Sequence, residues 1–404
     1  MRKVLMIAPT SFFSDYGGHI RILEETLALQ ELDNRICIVT YYKGKDVPAL
    51  DIRRTAPLPY RTEYEVGSSR HKIAFDVYLA LKSLRVALRE RPDIIHAHMH
   101  EGTLIGWVIA RLLRIPLIFD FQGSLTAEMI DHGFLTHGSF WHRAIRRTER
   151  FIDHRADMIL TSSKQVMKRL HEEFRMPVDR LHPLPDCVDI ERFNSGRFTD
   201  EQKAAVRTRY NIPADIPLIV YLGLLTDYQG IPHMLKAAAH LRDQGEIFHF
   251  LIMGFPSVQH YRQMAQNMGV SDVVTFTGRV PYNEAPRLLS AGDFAITAKM
   301  SSTEGSGKML NYMALGLPVV AYDTPVHREY LGAHGTYVPA GDQIGLADAI
   351  QTLIHTPPPE RHEIGNQLRQ RVTTHFTWPA AAQQIDTIYQ TLLTQNKQRT
   401  TNSQ

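Results

Sequence analysis

Short apolar runs alternate with longer amphipathic stretches along nearly the whole chain. In the first half the runs are "KVLMIAP", "RICIVTYY", "DIIHAHM", "PLIFDFQ" and "DMILTSS". In the second they are "PLIVYLGLL", "FHFLIMGF", "VVTFTGRV", "DFAITA" and "PVVAYD". Continuous apolar strands separated by amphipathic helices predict parallel sheets covered on both faces. The two halves also open alike. "VLMIAPTSFFSDYGGHIRILEETLAL" and "LIVYLGLLTDYQGIPHMLKAAAHL" each read as strand, glycine-bearing loop, then amphipathic helix. That is the opening of a doubly wound nucleotide-binding sheet, written twice. The polar stretch "NSGRFTDEQKAAVRTRYNIPADIP" divides them. The expected organisation is a Rossmann-like domain over 1–197 and a second over 198–375. An amphipathic helix over 376–393 follows, then a frayed polar tail over 394–404.

Two such domains face each other across a cleft, and ligands of open α/β sheets sit at the C-terminal ends of the strands. The unusual residues lie on loops leaving the strands. They include Tyr16-Gly17-Gly18-His19, the stretch His96 to Glu101, Gln122-Gly123-Ser124, and Gly305-Ser306-Gly307-Lys308.

Composition narrows the class. With 44% hydrophobic and 22% charged residues over 404, the chain has ample material for two cores. Its net charge of +3 is too small to point to nucleic acid. The excess lies in the N-terminal half, visible in "WHRAIRRTERFIDHRAD", where Arg143, Arg147 and Arg150 can share one helical face. A solvated face is one reading; contact with a phosphorylated acceptor or an anionic membrane is the other. Two distant cysteines, Cys37 and Cys187, make no disulfide framework and fit a reducing cytoplasm. The opening "MRKVLMIAPTSFF" reads as a buried strand rather than a signal peptide, and no apolar run is long enough to span a bilayer.

"EGSGKMLNYMA" near residue 308 invites comparison with a triphosphate loop. Such a loop needs Gly six residues before the lysine and Ser or Thr after it. Here those places hold Ser302 and Met309, so no metal-bound triphosphate is expected. What remains is a helix N-terminus with small residues, bare amides and Lys308, suited to an anion. "DIIHAHMHEG" sets His96, His98 and His100 at strand alternation. They read as lining the cleft, as satisfied core histidines, or as part of a metallohydrolase site, which would need further ligands and a barrel. "YGGHIR" is not the dinucleotide fingerprint, though paired glycines allow close backbone approach.

Taken together, "YGGH", "PDIIHAH", "LPDCVDIERF", "YLGLL", "VTFTGRV", "NYMALGLPVVAYD" and "FTW" resemble the family 4 glycosyltransferases of GT-B architecture, over essentially the whole chain. The resemblance implies metal-independent transfer of a sugar, with retention, from a nucleotide diphosphate sugar. The donor would sit on the C-terminal domain, the acceptor on the N-terminal one, and the last helix would cross back. It implies no cofactor beyond the nucleotide sugar co-substrate, and a glycan, lipid-linked or small-molecule acceptor.

By the same resemblance Gly17 and Gly18 lie against the diphosphate, Arg279 and Val280 near the base, and Gly223 and Gln229 on the donor. Gly305, Ser306, Gly307 and Lys308 present amides and a cation, and Asn311 stands where a glutamate usually grips the ribose. Gln122, Glu304 and Lys308 are the expected catalytic groups. Tyr16, His19, His98, His100 and Glu101 are expected on the acceptor side. The departures are specific. The family's Arg and Lys after the first strand of the second domain are Leu224 and Gln229, and its His after the fifth strand is Gln122. Its two-glutamate motif is Glu304 plus Asn311, one residue short. A divergent active enzyme with Lys308 replacing lost cations is expected; a weakly active sugar-nucleotide-binding protein is the alternative.

Overall fold

The computed structural model describes residues 1–15, 17–57, 72–131, 133–300 and 305–401. Its strands form two sheets. The first contains β1 (Arg2–Ala8), β2 (Asn34–Thr40), β3 (Asp51–Arg54), β4 (Ile94–His98), β5 (Leu117–Phe121), β6 (Met158–Thr161) and β7 (Leu181–Pro183). Their order across the sheet is β3-β2-β1-β4-β5-β6-β7, all parallel. The second contains β8 (Leu218–Leu224), β9 (His249–Phe255), β10 (Val274–Gly278), β11 (Phe294–Thr297), β12 (Val319–Tyr322) and β13 (Thr336–Val338). Its order is β10-β9-β8-β11-β12-β13, also parallel. Both sheets reverse direction beside their first strand, which makes the crevice at the strand ends where ligands of doubly wound folds bind. These are two open sheets, not the barrel that a His-x-His metallohydrolase would require.

The apolar runs are continuous because each strand feeds two cores. Val4, Met6 and Ala8 of β1 pack on one face, while Leu5 and Ile7 pack on the other. In β8, Leu218 and Val220 alternate in the same way with Ile219 and Tyr221. The three strands not anticipated from apolar runs, β3, β7 and β13, are all edge strands. An edge strand has only one neighbour and need not be long or uniformly apolar.

The chain passes between the domains twice at one place. Val188, on the way out, bridges in parallel to Thr377 on the way back. The returning helix, Trp378–Thr401, then lies on the first helix, Gly17–Gln30. Trp378, Ile385, Tyr389 and Leu392 join the N-terminal core. The tail expected to fray from 394 is instead helical through Thr401, with Asn396 donating to the Arg114 carbonyl at 2.9 Å.

Ile385 is fully buried in that core. Ile385→Ala is expected to cost about 2–5 kcal/mol, read as a lower urea midpoint of the unfolding transition that involves the N-terminal domain.

Candidate active site

On the N-terminal side, the first helix opens at Gly17-Gly18 directly after the loop leaving β1. His19 fixes that loop. The Ser14 amide donates to its Nδ1 at 2.8 Å, so Nε2 carries the proton and donates to the Thr10 hydroxyl. Burial holds this imidazole neutral, with its pKa lowered to about 3.

One turn further, Arg21 lies in the floor of the cleft, 4% exposed. Its Nε and Nη2 donate to Asp120 at 2.7–3.1 Å, its Nη1 to Asp186 at 3.1 Å, and its Nη2 also to the Leu184 carbonyl at 3.1 Å. Asp120, in β5, further accepts from His98 Nδ1 at 3.0 Å and from Gln122 Nε2 at 2.9 Å. Burial raises the Asp120 pKa, but the Arg21 guanidinium and His98 outweigh it and hold the carboxyl well below its usual range. Because Asp120 takes the amide nitrogen of Gln122, the amide oxygen faces Gly18. A methyl group on Gly18 would sit 2.6 Å from that oxygen and would push the Gln122 amide off Asp120.

The histidines depart from expectation. His19, His98 and His100 are all buried and present no surface to an acceptor. β4 ends at His98 and the next helix, Met99–Leu113, begins at once, so the strand alternation stops. His96 and His98 therefore lie on the face of the first and last helices, with His96 Nδ1 2.7 Å from the Tyr389 hydroxyl. His100 falls on the opposite face, against Phe119 and Phe121 and 3.3 Å from Asp153. Glu101 is ion-paired with Lys72. Tyr16 and Glu304 lie outside the described residues.

On the C-terminal side, the helix Gly307–Ala314 packs beside β12 and against the end of β8, where the Leu222 amide donates to the Tyr312 hydroxyl at 2.7 Å. Lys308 Nζ bonds Gln229 Oε1 at 2.5 Å and the Tyr221 hydroxyl at 3.0 Å, 4.4 Å above the Tyr221 ring. A methyl group on Gly223 would lie 3.1 Å from the same nitrogen. Lys299 Nζ donates to the Gly305 carbonyl at 2.7 Å and fixes the loop before this helix. Ser306 is buried, while Asn311, one turn on, is half-buried. Arg279 is exposed and stacks 3.6 Å over the Phe255 ring. Val280 turns its side chain into the core and leaves only backbone for a ligand.

The two sides meet. Asp186 fits against the glycine loop, where a methyl group on Gly305 would come within 2.3 Å of its carboxylate. Asp15 accepts from the Tyr282 amide at 3.0 Å across the cleft. The arrangement joins a cation and helix N-terminus on one wall to hydrogen-bonding side chains on the other, which is what an anionic leaving group and a hydroxyl nucleophile require. Arg21, Asp120 and Asp186 were missed in the sequence. A signal was present for the first two: "HIRILEE" and "IFDFQ" each place a charge inside an apolar stretch, and such charges are buried only when paired.

Residues 17–192 match the model described as Glycosyltransferase Family 4, and residues 202–371 match that for Glycosyl transferases group 1. The chain belongs to the family 4 glycosyltransferases. This glycosyltransferase is 25% identical over 312 residues to a D-inositol 3-phosphate glycosyltransferase of Corynebacterium diphtheriae, covering 74% of this chain and 70% of that one. Its fold matches sucrose-phosphate synthase from Thermosynechococcus elongatus with a TM-score of 0.82 at 18% identity, over 98% and 100% of the two chains. It matches Anabaena HepE in complex with UDP-glucose at 0.75 and 17% identity, over 97% and 100%. Two Rossmann-like domains with a helix crossing back are the GT-B fold.

Removing the guanidinium strands two carboxylates, so Arg21→Met is expected to cost about 3–5 kcal/mol near neutral pH. The depressed pKa of Asp120 means its contribution is present above the ordinary carboxylate pKa and fades as pH falls below it. The gap in urea midpoint between wild type and Arg21→Met should therefore narrow once pH drops below about 4.

Proposed function

We propose that this glycosyltransferase moves a hexosyl group from a nucleotide diphosphate sugar to a hydroxyl of a glycan, lipid-linked or small-molecule acceptor, with retention of configuration and no metal at the diphosphate. The observation that carries the reading is Lys308. Its ammonium rests on Gln229, the residue standing where the family has a lysine, so a cation returns to that place from the neighbouring helix. A position lost in sequence is refilled in space. The co-crystallised UDP-glucose of HepE supports the donor class, and the inositol phosphate named for the corynebacterial relative supports a polar, hydroxyl-bearing acceptor.

In this reading the leaving diphosphate gathers negative charge as the anomeric C–O bond breaks. Lys308 and the amides of Gly305 to Lys308 stabilise that charge. The Gln122 oxygen, locked by Asp120, accepts from a hydroxyl of the donor sugar or the acceptor. Attack comes from the face the phosphate leaves, and a departing phosphate oxygen takes the acceptor proton. His98 positions Asp120 and through it Gln122. His19 holds the loop before Gly18, while Tyr16 and Glu304 keep the acceptor-side and catalytic roles implied by the family. Glu101 borders the acceptor side, and Asn311 holds the ribose.

The acceptor side has a further character. Phe140 and Trp141 are 76% and 67% exposed, next to exposed Arg143, Arg147 and Arg150 on the helix Phe140–Asp153. Val108 and Leu112 are exposed on the helix that packs beside it. No helix among the described residues is long and apolar enough to cross a membrane. Exposed aromatics among arginines suit peripheral contact with anionic lipid.

Calorimetry with UDP-, GDP- and ADP-sugars, followed by donor hydrolysis, should reveal one bound and slowly hydrolysed donor, and anomer-resolved NMR of the product should show retention. Lys308→Ala is expected to lower kcat by about 10²–10³; full kcat in that variant would overturn the assignment. Flotation with phosphatidylglycerol vesicles should recover the wild type in low salt, and Phe140→Ala/Trp141→Ala should remain unbound with unchanged donor hydrolysis. Equal flotation of the double variant would exclude this surface.

A further inference from the structure

Beneath the cleft, the first helix and β4 bring Glu25, His96 and His98 together in the N-terminal core. All three are fully buried, and their ligand atoms lie within 4.8 Å of one another. Glu25 Oε1 is 3.3 Å from His96 Nε2, and the two imidazoles stack with centroids 4.9 Å apart. Both Glu25 oxygens, His96 Nε2 and His98 Nε2 have no hydrogen-bond partner among the described residues. Buried polar atoms are almost always satisfied, so four orphans gathered this closely call for something between them.

The outer nitrogens of the two rings are both engaged. His98 Nδ1 faces Asp120 at 3.0 Å, and His96 Nδ1 faces the Tyr389 hydroxyl at 2.7 Å. With its Nδ1–H donated outward to Asp120, His98 turns a lone pair inward on Nε2; the same holds for His96 when Tyr389 accepts. That is how metal-binding histidines are set, with a carboxylate or other acceptor behind the ring. Charge points the same way. Arg21 is ion-paired with Asp120 and Asp186, whereas Glu25 has no guanidinium or ammonium partner among the described residues, and a divalent ion would supply the missing positive charge.

We propose that Glu25, His96 and His98 bind a divalent transition-metal ion, zinc by the chemistry of its two imidazoles and one carboxylate. Ligands of a tetrahedral zinc at about 2.0–2.2 Å stand roughly 3.4 Å apart. The Glu25–His96 edge already meets that; closing the site further requires the two stacked imidazoles, 4.9 Å apart, to tilt toward each other about their side-chain bonds. The ion is structural. Asp120 and then Gln122 separate it from the cleft, so it takes no part in sugar transfer and the proposal does not rest on the donor reading. It ties the first helix to β4 and, through Tyr389, to the crossing helix.

The test uses the full chain, stripped with chelator, reloaded with zinc and passed through gel filtration. Elemental analysis should find about one zinc per chain. Free zinc about a hundredfold above its Kd should raise Tm by roughly 5–10 °C. The chain carries 20 histidines, so surface binding must be subtracted. Glu25→Gln should lose the gel-filtration-stable equivalent while weaker zinc binding persists, and cobalt substitution should give visible ligand-field bands in the wild type alone. If Glu25→Gln fails to fold, His96→Gln reads the same loss. Two results would overturn the site: a wild type that keeps no zinc and shows no Tm response, as a proton shared between Glu25 and His96 would produce, or a Glu25→Gln variant that retains zinc as the wild type does.

Discussion

A single guanidinium organises the cleft. Arg21 comes from the first helix, Asp120 from the end of β5, and Asp186 from the segment that leaves the N-terminal domain. None of the three tolerates burial alone, so each fixes the position of the others. Asp120 then orients Gln122 and His98, and Asp186 meets the glycine loop of the opposite domain. Groups far apart in sequence are held in register by one ion-pair network, and the cleft inherits its shape.

The two walls solve different problems. The N-terminal wall is preorganised by buried charge, which resists rearrangement because any change leaves a carboxylate or guanidinium exposed to low dielectric. The C-terminal wall is built from backbone and small residues, where Lys299 holds the Gly305 carbonyl and Lys308 rests on an aromatic face and an amide. A scaffold of that kind offers amides and a cation to a ligand while making few demands on its identity. That fits a family that keeps its fold while changing its sugars and acceptors.

Much of the architecture was legible in the sequence because the signals were local. Continuous apolar runs gave ten strands, and the paired openings "VLMIAPTSFF" and "LIVYLGLL" gave two Rossmann-like units. The edge strands β3, β7 and β13 were not legible, since a one-sided strand carries little pattern. At the site, the glycine loop and Lys308 were visible as a helix start with bare amides. The histidines misled because strand alternation was carried one residue too far. The chain turns into a helix at Met99, and His100 changes faces. Arg21 and Asp186 were invisible as partners because 165 residues separate them, and no local pattern encodes a pairing across that distance.

The parallel bridge between Val188 and Thr377 means that both covalent connections between the domains cross side by side. Two adjacent crossings behave like the pins of one door. They permit swinging about a line through that seam and resist sliding or twisting of one domain past the other. Loops far from the seam sweep the longest arc, while Asp186, a few residues from the pin, moves least. Such a joint would let the mouth of the cleft widen while the groups nearest the seam stay almost in contact.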